Sequence, residues 1–459
     1  MTKDLTKGNP SKILIIFALS ILTTSVLDYV YGATDSAMLS YYVDKHALGA
    51  ISSILPALSL IQGVVLGLLS GFSITMSRAF GSNSEDKTKK TVANGVFLSM
   101  VIILPSMLAS LSLANPIANA MNVPEEFMDD ALTYFFIIVL AFPISGVSWF
   151  CSGLLRAFGD SRTPMIVSGV CGILNVAFNY LFLAVVPLGV AGAALGTVCA
   201  SAVGMVAYLV ILTVLVPQIR FKAKDMRPRS SVVKELLNDG ITIAMLNFVV
   251  SSGHAIIQRA VNGFQPAVIT GISTGSKIAN LLWIIACALE SALMYFCSQN
   301  VGAGKIGRIK QGIKANLAIT SVSVIACAAL MLLFREPLLR IFLGSSVDAD
   351  TVLTLSYASN FLFTQIVFLP AIILMSCFRG TVRGLGSSIP TIACGVIELV
   401  VRVVVTAICE FSSFAQNVQI NILFVAGPLA WLSAAIMLGV ILPGVLRRVQ
   451  DSSQKERVV

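Results

Sequence analysis

Twelve apolar runs divide this chain, each long enough to cross a bilayer. A helical span needs about 20 apolar residues to cover roughly 30 Å of hydrocarbon. The runs are centred near Leu22, Val64, Ile102, Ile138, Leu174, Val203, Val250, Ile285, Ile325, Phe368, Leu399 and Ala434. They imply an all-α protein integral to a membrane, with twelve transmembrane helices. Composition agrees: of 459 residues, 56% are hydrophobic and 12% charged, whereas a soluble domain carries about a quarter charged residues. The N-terminus, "MTKDLTKGNPSKILIIFALSIL", has the basic start of a signal peptide. No small-residue cleavage site follows and the apolar part is too long, so it reads as the first span.

Charge placement sets the orientation. Lys and Arg gather at the N-terminus (Lys3, Lys7, Lys12) and in alternate loops: Arg78 to Lys90, Arg156 and Arg162, Arg220 to Lys234, Lys305 to Lys314, Arg379 and Arg383, and the tail "RRVQDSSQKER". The opposite loops hold few cations (Lys45, Arg335, Arg340) and acidic stretches such as "VPEEFMDDA". By the positive-inside rule both termini are cytoplasmic, as in a multi-pass protein of the plasma membrane. The net charge of +9 therefore reports topology and gives no indication of nucleic acid. The nine Cys are scattered singly, with no C-x-x-C or Cys/His cluster. They read as small apolar packing residues, not as a metal site or a disulfide framework.

The chain also repeats itself. "SGFSITMSRAFGSNSEDKTKK" (Ser70 to Lys90) aligns with "SALMYFCSQNVGAGKIGRIKQ" (Ser291 to Gln311) at an offset of 221. Further on, Pro143/Pro370, Arg156/Arg383 and Gly159/Gly386 share an offset of 227. Each half holds an even number of spans, so both point the same way, as in transporters built of parallel repeats. The expected organisation is a six-helix lobe over 1–217, a basic cytoplasmic linker over 218–234, and a second six-helix lobe with its tail over 235–459. The two lobes should be pseudo-symmetric about the membrane normal.

Within this frame, "LLRAFGDSRTP", "LNVAFNYLFL" and "LGVAGAALGT", with "SQNVGAGK" and "RGLG" in the second half, resemble the MATE (multidrug and toxic compound extrusion) family, in its DinF-like branch. The resemblance covers nearly the whole chain. It implies two lobes around a central cavity and alternating access. It also implies secondary active export of amphipathic, mostly cationic small molecules against inward H⁺ or Na⁺, without a further cofactor and as a monomer. By motif position it implies an N-lobe cation site made of Asp35, Asn175, Asn179 and Thr197, with Na⁺ as one occupant. Asn179 stands where the motif usually offers a second Asp, and Ser20 where members typically have Pro. Hard cations bind oxygen ligands that bring compensating negative charge. One carboxylate in place of two therefore points to proton coupling or to a weaker Na⁺ site.

Other intramembrane polar residues have two readings each. An acid at helix depth costs roughly 2.5–3.5 kcal/mol on permissive insertion scales and is functional by default. Asp28, seven residues before Asp35, either lines the pore or serves structure. Glu290, whose partner the sequence does not reveal, is a second protonatable group or a structural cavity residue. Tyr134 matches a family position near the same cavity. His254 reads first as a packed helix residue and second as a pH-sensitive gate. Glu398 and Arg402 stand at i, i+4 in the favourable order for an intrahelical pair, and read first as a mutually neutralising structural pair and second as substrate contacts.

Rival functions lack their motifs. A flippase for lipid-linked precursors, from the same wider superfamily, would be expected to show more cavity-facing cations, and deep cations look few. An intramembrane enzyme would need a convergent set such as H-E-x-x-H, and none is present; a receptor is the remaining alternative. No P-loop appears, so ATP is not the direct energy source.

Overall fold

The computed structural model describes residues 4–43, 45–215, 223–343 and 348–458. Lys3 and residues 218–222 of the expected linker lie outside the described residues. Among the described residues the chain is helical without a strand. The first half contains α1 (Pro10–Tyr42), α2 (Lys45–Gly81), α3 (Glu85–Ser112), the short α4 (Ala114–Ala120), α5 (Met128–Leu140), α6 (Phe142–Ala157), α7 (Arg162–Tyr180) and α8 (Gly189–Leu215). The second contains α9 (Ser230–Val261), α10 (Pro266–Gly302), α11 (Ile306–Leu333), the short α12 (Arg335–Leu343), α13 (Ala349–Val367), α14 (Leu369–Gly384), α15 (Ser388–Phe411) and α16 (Gln416–Val458).

Among the described residues ten helices are long and apolar enough to span, and with each of two bent pairs, α5–α6 at 49° and α13–α14 at 53°, taken as one span the number is twelve. A proline accompanies each bend. Pro143 and Pro370 sit in the first turn of α6 and α14, where each removes an N–H donor and interrupts the helical ladder. The internal repeat reappears in the helix limits. α2 and α10, and likewise α3 and α11, correspond at both ends with an offset of 221, and α6 and α14 with one of 227.

Burial is inverted relative to a water-soluble protein. Ile173, Ile389 and Val440 are 73–83% exposed, while Asn94, Asn175, Gln299 and Asn316 are fully buried. Hydrocarbon accepts the first group, and internal partners must satisfy the second.

The chain forms two compact units, one comprising Met1–Leu5 and Leu19–Ala244, the other Thr6–Ala18 and Met245–Val459. α1 and α9 are thus each divided between them. α9 already begins at Ser230, inside the stretch expected as linker. In the first unit the start of α9 packs backbone-close on α2: a Cβ on Gly71 would stand 2.4 Å from the Asp239 carbonyl oxygen. Such close approach of small residues is how membrane helices gain packing contact. Asp239 is held there by a salt bridge from Arg78 and by the Thr75 hydroxyl, which donates at 2.6 Å. The Asn94 side chain accepts from the Arg229 N–H at 3.0 Å, tying the described end of the linker to α3.

In the second unit α14 lies against α10 through Gly380 and Gly384. A Cβ on either would fall 2.6 Å or 2.5 Å from the carbonyl oxygens of Glu290 and Met294. All nine cysteines are free. Among the described residues no group of three His, Cys, Asp or Glu could hold a metal ion.

Candidate cation site

Helical spacing places Asn175 and Asn179 one turn apart on the face of α7 that meets α1. The Asn179 amide donates to Asp35 Oδ1 and also to Asn175 Oδ1, at 3.1 Å. The Asn175 amide in turn reaches Thr197 Oγ1 on α8 at 3.5 Å. The structure therefore brings all four residues together, from three helices. Both asparagines are fully buried and stand behind Asp35. Asp35 and Thr197 line a cavity of about 180 Å³, shared with Tyr31, Tyr134 and Gln62.

Local backbone features make room for this cluster. Just beyond Asn179 the chain widens into one i→i+5 turn, closed by the Val186 N–H on the Leu181 carbonyl at 2.9 Å. Wide turns of this kind occur often at functional sites. Opposite, Gly196 leaves space that no other residue would leave: a Cβ there would lie 2.0 Å from Asn179 Oδ1. That oxygen is buried without a hydrogen-bond partner. An apolar cluster of Leu39, Ala47, Ile51, Leu183 and Val190, with Tyr134 packed against it, closes the end of the site away from the basic loops.

Chemically the site offers one carboxylate, two carboxamides and a hydroxyl. All are hard oxygen donors, suited to a proton or an alkali cation and unsuited to soft metals. A single formal negative charge matches a single monovalent cation. It is the Asn179 amide nitrogen that meets the carboxylate, while its Oδ1 faces Gly196, a buried acceptor without the partner such groups normally have.

The remaining sequence candidates fall elsewhere. Tyr134 lines the same cavity. Asp28 is exposed on α1 and accepts from the Ser168 hydroxyl of α7 at 2.6 Å. His254 is exposed on α9, next to Gly253, whose missing side chain lets that helix approach Arg402. Glu290 is buried and doubly engaged: Arg379 Nη2 and Arg383 Nη1 each donate to it at 2.7 Å. Arg379 continues to Glu398 at 3.2 Å, and Glu398 pairs with Arg402 at 3.1 Å. These five side chains form one buried chain in the second unit.

Two expectations are corrected here. Arg379, counted with the basic loops, lies inside α14 and is 5% exposed, because Glu290 and Glu398 compensate it. Deep cations are also more numerous than the sequence suggested, although each is engaged by a glutamate.

Sequence reasoning missed Tyr31 and Gly196. Tyr31 lies one turn before Asp35 and so shares its face, a signal that was available. Gly196 gives none, since a glycine in a span has many uses.

Repeated sets of spanning helices with an acid at membrane depth are features found in membrane transporters. The MatE family model matches residues 20–181 and 242–408, and the chain belongs to that family. Among its relatives, a probable multidrug resistance protein NorM of Thermotoga maritima is 26% identical over 83% of this chain and 81% of its own length. The probable multidrug resistance protein YpnP of Bacillus subtilis is 25% identical, covering 86% of this chain and 87% of the relative. Among solved structures, an outward-facing multidrug resistance MATE family transporter of the MOP superfamily superposes with a TM-score of 0.87. The match covers 97% of this chain and 98% of the other at 16% identity, a likeness of fold.

Proposed function

We propose that this chain is a secondary active exporter. It drives amphipathic, mostly cationic small molecules outward against inward H⁺ or Na⁺ taken up at Asp35. It acts as a monomer in the plasma membrane, with both termini cytoplasmic. The observation that carries this reading is the convergence of Asp35, Asn175, Asn179 and Thr197 beside a cavity that opens on the carboxylate. Coupled export needs a group whose ion loading differs between conformations, because a ligand shifts an equilibrium only through differential affinity. A lone carboxylate supported by two amides is such a group, and relatives are named as probable multidrug resistance proteins, which supports export of small molecules. The test is efflux of a fluorescent organic cation from proteoliposomes under imposed H⁺ or Na⁺ gradients. Export that follows one gradient supports the reading, and export indifferent to both removes it.

A further inference from the structure

Along one face of α3, Val92, Val96, Met100 and Ile103 succeed one another at helical spacing and form one wall of a second, larger cavity. Phe150 of α6 supplies its floor and Leu209 of α8 the opposite wall, around about 550 Å³. The floor is buried, whereas Met100 and Leu209 on the rim are 50% and 43% exposed. The cavity is therefore a groove open at the outer face of spanning helices, distinct from the cavity at Asp35.

Its volume suits a small molecule, but sites for polar molecules carry a few placed polar groups. Here the two hydroxyls are already used within their own helices. Ser99 donates to the Gly95 carbonyl at 2.7 Å, and Thr213 to the Leu209 carbonyl at 2.8 Å. The groove is lined by no charged or carboxamide side chain, so it disfavours the cationic cargo proposed above, which would lose hydration there without a compensating charge. A hydrocarbon chain needs no such group.

The α3 stripe continues to the basic-loop end of the helix. Lys89 lies three residues before Val92 and seven before Val96, on the same face. It is paired with Glu85 at 2.7 Å, and both side chains are partly exposed, at 33% and 66%. Exposed i, i+4 pairs of this kind are weak, so Lys89 can exchange its partner for a phosphate.

We propose that this groove holds an acyl chain of an anionic phospholipid from the leaflet on the basic-loop side, with its phosphate on Lys89. Bilayer lipid surrounds the open side of the groove, and lipid tails are as apolar as its lining. Selectivity therefore comes from close packing in the groove and from the headgroup contact.

The test uses the full chain, purified in a delipidating detergent and given equal phosphatidylglycerol and phosphatidylethanolamine, with bound lipid counted by native mass spectrometry. We expect one retained phospholipid per chain and about a fivefold preference for phosphatidylglycerol, the effect of one lysine near an anionic headgroup. Val96→Trp and Leu209→Trp, each filling the groove from a partly exposed position, should lose the retained lipid while eluting as folded monomers. Lys89→Ala should keep the lipid and lose the preference. Undiminished retention in both tryptophan variants would overturn the proposal. So would displacement of the lipid, one for one, by a fluorescent organic cation. An unchanged preference in Lys89→Ala would overturn the headgroup assignment.

Discussion

Asn179 on α7 donates its side-chain amide to the carboxylate of Asp35 on α1, at the position where the family motif usually carries a second acid. Asn179→Asp replaces this donor by a second carboxylate at hydrogen-bonding distance. Two carboxylates compensate a hard cation better than one. The variant should show stronger dependence of efflux on an imposed Na⁺ gradient, measured in proteoliposomes; unchanged Na⁺ dependence would count against a cation site here.

Asp35→Asn keeps shape and removes the only formal charge in the cluster. Hydrocarbon disfavours that charge, so expression and thermal stability in detergent should hold or rise. Gradient-driven efflux should be lost. Normal efflux from this variant would move coupling away from the first unit.

A methyl group at Gly196 would collide with Asn179 Oδ1, 2.0 Å away in the present geometry. Overpacking of this kind costs about 1–3 kcal/mol and here would displace Asn179 from Asp35. Gly196→Ala should insert and purify yet lose coupled efflux. An active Gly196→Ala variant would show that the asparagine's placement is not needed.

Glu290 is shared between Arg379 and Arg383, and its side chain is only 2% exposed. Removing one partner of a buried ion pair costs about 3–5 kcal/mol, because the other charge stays buried. Glu290→Gln should therefore lower thermal stability in detergent far more than Asp35→Asn does. Equal melting of the two variants would mean that water or lipid headgroups reach the arginines.

Much of this architecture is decided locally, and for that reason is legible in the sequence. Span positions follow from runs of apolar residues, because hydrocarbon selects each run independently of its neighbours. The two halves announce themselves by offsets that the helix limits repeat. Asn175 and Asn179 share a face because 3.6 residues make a turn, but that spacing cannot say which helix they face. Only the tertiary structure turned that face to Asp35 and left Asn179 Oδ1 unpaired against Gly196. It likewise drew Arg379 inward between Glu290 and Glu398, where the pattern of basic loops had assigned it to the surface. The physical reason is common to both cases. Spanning is a property of one helix in its solvent, whereas a polar cluster depends on how several helices rotate against one another, and close packing at small residues such as Gly380 and Gly196 sets that rotation.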